Sequence, residues 1–138
     1  MEDEPIAKPA DLTDRIVECA RTVHSILGWG FEEIIYQRAL ALELEKAGLA
    51  FSRDVDQPIL YDEIEVGARH ADFLVEERVM VCLKAIPALD QYHLTAMIND
   101  LHAYQMETGL LFNFGEKSLK WKRFVKTHKE PPPARAVE

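Results

Sequence analysis

Apolar residues recur at helical intervals at the start of the chain and at strand intervals further on. Leu12, Ile16, Cys19, Ala20, Val23 and Leu27 form one stripe of a helix over residues 11–27. Gly28-Trp29-Gly30 stops it, because glycine takes left-handed backbone angles that other residues resist. A second helix is predicted over residues 31–47, with Phe31, Ile34, Ile35, Ala39 and Leu42 facing inward and Gly48 closing it. The two helices make a hairpin. The apolar period then shortens to two. Residues 50–60 read as a strand, Asp62-Glu63 as a turn, residues 65–75 as a second strand and Val79 to Ala85 as a third. Glu76-Glu77-Arg78 is short enough to fold the last two into an antiparallel hairpin. Val79, Val81 and Leu83 share one face of the third strand; Met80, Cys82 and Lys84 share the other. Pro87 precedes a third helix over Asp90 to Met106. A buried strand from Gly109 to Phe114 follows, and then a last strand from Ser118 to Lys126, in which Leu119, Trp121 and Arg123 alternate with Lys120, Lys122 and Phe124. The order ααβββαββ predicts an α/β mixed sheet with helices packed on it.

The ends break this pattern. Residues 1–10 are acidic with two prolines and read as a flexible tail; residues 130–138 begin with a triple proline and read as another. The domain is expected between them, over residues 11–129. A chain of 138 residues that is 48% apolar can bury one ordinary core, which excludes disorder and fibrous repeats. No apolar run approaches the roughly 20 residues that span a bilayer, and the acidic start has no signal-peptide pattern, so no membrane partner is expected. Cys19 and Cys82 are the only cysteines, and a reducing cytoplasm suits them.

Charge is divided unevenly. Residues 1–116 carry 9 Lys or Arg against 22 Asp or Glu, whereas residues 117–129 carry six Lys or Arg and no acid. An acidic body repels nucleic acid at long range. Lys120, Lys122, Arg123 and Lys126 can still touch phosphates locally, so any nucleic-acid contact is expected to be weak and salt-sensitive. An edge strand guarded by lysines would show the same pattern.

Glycine-rich phosphate loops, serine elbows and HExxH spacing are absent. His93 and His102 are nine apart on one helix, on different faces, and should not share a metal. What remains is Asp72 and Lys84. A turn centred on residue 77 sets Asp72 opposite Cys82 and makes Lys84 its diagonal neighbour on the same face. A carboxylate can hold a hard metal ion, and a nearby lysine can steady a phosphate. A plain cross-strand ion pair satisfies the same spacing.

Gly30-Phe31-Glu32-Glu33-Ile34-Ile35-Tyr36 has the GxxExxY spacing, with Gly30, Glu33 and Tyr36 at its named positions. With the Ala71-Asp72 strand, Leu83-Lys84-Ala85 and Gly109 to Gly115, the chain resembles the small bacterial GxxExxY proteins of the PD-(D/E)XK nuclease-like superfamily over about residues 11–126. The resemblance implies a restriction-endonuclease-like fold and a Mg²⁺- or Mn²⁺-dependent phosphodiesterase site built from Glu33, Asp72 and Lys84. It also places the second metal-binding acid two residues before Lys84, where this chain has Cys82. A thiol is mostly neutral near pH 7, and thiolate prefers softer ions than Mg²⁺. Relatives often carry a glutamine at about the place of Ala96. Three functions are therefore expected to compete: a nuclease with weak metal binding and weak or lost cleavage, a fully active nuclease, and a non-catalytic domain that binds a protein partner or a second copy, with Trp29 and Trp121 as its anchors.

Overall fold

The computed structural model describes residues 9–126. The acidic segment up to residue 8, the proline-rich end and Lys129 lie outside them. Two helices, α1 (Pro9–Leu27) and α2 (Glu33–Lys46), precede a long hairpin of β1 (Phe51–Tyr61) and β2 (Ile64–Val75). Then come β3 (Val79–Lys84), α3 (Gln91–Tyr104), β4 (Thr108–Asn113) and β5 (Lys120–Val125). The order is the predicted ααβββαββ. The strands form one sheet in the order β1-β2-β3-β4-β5. Among the described strands only β3 and β4 are parallel, and the connection through α3 supplies the crossover that a parallel pair needs. The result is a mixed sheet flanked by helices, consistent with a restriction-endonuclease-like fold. No described helix is long and apolar enough to cross a membrane.

Alternation along β3 divides the core in two. Val79, Val81 and Leu83 join Phe73, Leu110 and Phe112 beneath α1 and α2. Met80 and Cys82 face the other way, against Met97 and Leu101 of α3. The α1 stripe is buried as predicted except at Leu27, which is half-buried, and Ile16 and Ala20 are fully enclosed. On α2 the predicted face is wrong. Phe31, Ile34 and Leu42 are exposed, and the buried residues are Tyr36, Gln37, Leu40, Ala41 and Leu44. Apolar residues surround this helix on nearly every side, so periodicity alone admits more than one inward face. Tyr36, Leu40 and Leu44 meet the sheet because each is one turn from the next.

Local signals set the ends. Gly48 has a φ of 75°, and the N–H groups of Gly48 and Leu49 return to the carbonyls of Glu45 and Leu44, closing α2 with a Schellman motif. Asp62 and Glu63 both have positive φ, as a two-residue type I′ turn requires. A bulge follows in this hairpin: Ile59 pairs with Gly67 but Leu60 pairs with Glu65, which leaves Val66 over. Asp90 caps α3 and accepts the His93 N–H. Among the described strands β5 pairs with β4 alone and is an edge strand. Trp121 packs on the α1–α2 side of the core, so it is half-buried, whereas Trp29 is exposed.

Candidate active site

The ladder between β2 and β3 runs from Val75↔Val79 to Phe73↔Val81 and then stops. Its register is centred on residue 77, as the turn arithmetic predicts. Asp72 is the next residue, and its carboxylate takes over from the ladder: Oδ2 accepts the N–H of Leu83 at 2.8 Å. Oδ1 accepts from Gln37 Nε2 at 2.9 Å. The same Gln37 amide donates to Asp54 Oδ1 at 2.8 Å. Asp54 has a φ of 56°, a left-handed conformation that aspartate tolerates better than most residues. His70 reaches the group from β2, with Nε2 3.1 Å from Asp54 Oδ1 and Nδ1 2.8 Å from Asp56 Oδ1.

Glu33, in the first turn of α2, lies one helical turn before Gln37. Lys84 ends β3. Glu33, Asp72 and Lys84 all line one cleft, closed on the far side by His93, Ala96 and Met97 of α3. No ion pair joins Asp72 to Lys84 among the described residues; the Asp72 oxygens are committed to Leu83 and Gln37. Gly30 and Tyr36 shape the approach to α2. Gly30 has a φ of 111°, and the Tyr36 hydroxyl donates to the Gly28 carbonyl at 2.8 Å while accepting the Phe31 N–H at 3.2 Å.

Burial is the main influence on ionisation here. It raises Asp72, against the Leu83 N–H and Gln37, which favour the charged form. It raises Glu33 too, with the Asp72 charge adding to the effect and Lys84 opposing it. His70 is raised chiefly by its hydrogen bond to Asp56. The Cys82 thiol, packed against Met80, Met97 and Leu101, is pushed up to about 12 by burial and stays neutral near pH 7.

Asp54, His70 and Asp72 each bring a ligand atom within 4.8 Å of the others, close enough to share one divalent ion. That donor set fits a metal. Cys82 is not part of it, since a neutral buried thiol offers little to a hard ion. Asp54 and His70 are not marked by the sequence pattern, because their meeting depends on the β1–β2 register, and Gln37 is not marked because periodicity leaves the inward face of α2 open.

The basic residues divide between two faces. Directly paired residues share a face, so Lys122, opposite Leu111, points to the α3 side, as does Lys120 opposite Asn113. Arg123 is opposite Leu110 and points to the α1–α2 side. Lys126 lies just beyond β5.

Among curated proteins and solved structures no significant match is found. A family model described as the PD-(D/E)XK nuclease superfamily matches residues 10–124. With most of the sequence inside that match, and with Asp72 and Lys84 brought to one cleft of a mixed sheet, the chain belongs to the PD-(D/E)XK nuclease superfamily.

Proposed function

We propose that this chain is a GxxExxY-type member of the superfamily whose metal-dependent phosphodiesterase site is weakened at Cys82. Asp72, Asp54 and Glu33, which line one hollow with His70, would hold Mg²⁺ or Mn²⁺, with His70 as a further ligand once one of its nitrogens is unprotonated. Such an ion, when bound, polarises a phosphate oxygen and acidifies its water. Lys84 contributes positive charge where the phosphate gains negative charge. Gln37 holds Asp54 and Asp72 side by side through one amide. Lys120 and Lys122, on the cleft side of the sheet, guide a nucleic-acid backbone toward it.

The observation that carries this reading is the state of Cys82. Two residues before the lysine stands a neutral thiol with 7% exposure instead of a second carboxylate. Mg²⁺ gives up its waters reluctantly and needs hard anionic ligands to do so. The natural chain is therefore expected to bind Mg²⁺ poorly and to cleave nucleic acid slowly or not at all. Cys82→Glu should tighten Mg²⁺ and Mn²⁺ binding in calorimetry and raise cleavage, and Asp72→Ala added to it should remove both. Robust Mg²⁺-dependent cleavage by the natural chain, lost in Asp72→Ala, would show instead that the site is fully active.

A second reading, a non-catalytic interaction domain, is favoured by the tip of the β1–β2 hairpin. Leu60, Tyr61, Ile64 and Val66 are each at least 60% exposed there. Sedimentation of the natural chain beside Tyr61→Ser and Ile64→Ser tests whether this tip joins two copies.

A further inference from the structure

Phe114 lies just past β4 and outside the cleft lining, yet both sides of the site rest on it. Its N–H donates to the Lys84 carbonyl at 2.8 Å. Its ring stacks on Tyr36, with centroids 4.7 Å apart and planes 12° from parallel. Tyr36 is on the same helix as Glu33, one turn on, and its hydroxyl closes the α1–α2 corner.

The residues on either side of Phe114 tighten this joint. Asn113 is fully buried. Its Oδ1 accepts the N–H groups of Ile86 and Gly115, each at 3.0 Å. Its Nδ2 donates to the Ile86 carbonyl at 3.0 Å and to Glu116 Oε2 at 2.8 Å. These four bonds use the full capacity of one carboxamide. They fix both polar atoms of the peptide backbone at Ile86, two residues beyond Lys84. Gly115 then allows the backbones to touch: a Cβ there would lie 2.3 Å from both N and O of Ile86 and 2.6 Å from the carbonyl carbon of Ala85.

We infer that Asn113, Phe114 and Gly115 form a positioning clamp that holds Lys84 in fixed relation to Glu33, with Asn113 as the positioning residue. Asn113 acts on Lys84 through Ile86, and Phe114 carries the restraint to α2 through Tyr36. Only the catalytic consequence of the clamp rests on the nuclease reading.

The test uses the full chain, Asn113→Ala, which removes the tether, and Gly115→Ala, which wedges it open. Two variants acting in opposite ways keep the comparison available if one folds poorly. Amide hydrogen exchange followed by NMR should show the N–H groups of Phe114 and Ile86 exchanging about tenfold faster or more in both variants, with those of Phe73 and Val81 changing by less than about twofold. Unchanged exchange at Phe114 and Ile86, or equal acceleration everywhere, overturns the clamp. Cleavage with Mn²⁺, measured in the natural and Cys82→Glu backgrounds, should lose about tenfold in kcat with KM and calorimetric Mn²⁺ affinity unchanged. Faster local exchange with kcat unmoved, or a loss confined to KM or Mn²⁺ affinity, overturns the positioning role. Absence of cleavage in both backgrounds counts against the nuclease reading alone, and the exchange pattern then decides the clamp.

Discussion

His70 bridges Asp54 and Asp56, and the charged imidazole is the form that satisfies both. Its folded pKa is raised, so the stability it contributes is fully present below the unfolded imidazole value and is lost as pH rises through the folded one. In metal-free buffer, Asp56→Asn should lower the melting temperature at about pH 5 and make little difference at about pH 9. Asp72 has the opposite consequence. Its folded pKa is also raised, but for a carboxylate this means the native state disfavours the charge. The cost is absent below the unfolded carboxylate range and complete above the folded value. Asp72→Asn relieves that cost but leaves one of its two donors, the Leu83 N–H or Gln37, facing an amide NH2, so it should lower the melting temperature, by less near neutral pH than in acid, and abolish divalent-ion binding in the same sample. Legibility at this scale differs from residue to residue. Asp72 and Lys84 could be brought together because a symmetrical turn fixes their register. Asp54 and His70 could not, because the bulge at Ile59 and Leu60 shifts the hairpin by one residue. Without it, Asp56 would face Arg69 and His70 would point elsewhere.

At the scale of elements, α2 joins the core to the cleft. The corner before it combines Gly28 and Gly30, both with positive φ, with the Tyr36 hydroxyl, which answers two backbone groups of the turn. Gly30 and Tyr36 of the GxxExxY pattern thus fix how α2 begins, and with it the direction in which Glu33 points. Tyr36→Phe keeps the ring on Phe114 but abandons the Gly28 carbonyl and the Phe31 N–H. Urea unfolding should show a loss of about 1–2 kcal/mol, since the ring's packing survives and only the polar contacts go. The boundaries of α2 were readable within two residues, because Gly48 and the glycine pair mark them chemically. Its buried face was not. Phe31, Ile34 and Leu42 are as apolar as the residues that pack, and only the position of the sheet chooses between them.

Over the whole molecule, the charge map separates an acidic body from a basic edge. Lys120 and Lys122 extend that edge along the cleft side, whereas Arg123 lies on the other side of the sheet. Binding to a single-stranded oligonucleotide, measured by fluorescence anisotropy across a salt series, should be weak and steeply salt-dependent. Lys120→Ala and Lys122→Ala should each lower the salt slope by about 0.7, and Arg123→Ala should change it less. Equal effects from all three would place the strand outside the cleft.

The two faces of the sheet are also unequally covered. Among the described residues, nineteen buried apolar side chains lie on the α1–α2 side and six on the side of α3. α3 is retained by Met97 and Leu101, by the Arg69–Asp100 ion pair, and by the Tyr104 hydroxyl on the Val55 carbonyl. The wall of the cleft thus has less to lose by leaving than the layer formed by α1 and α2. Under gentle denaturation α3 should detach while the other face stays shut, opening the α3 side of Asp72 to solvent on an otherwise folded sheet. A protease that cuts within α3 would report this opening long before the molecule as a whole gives way.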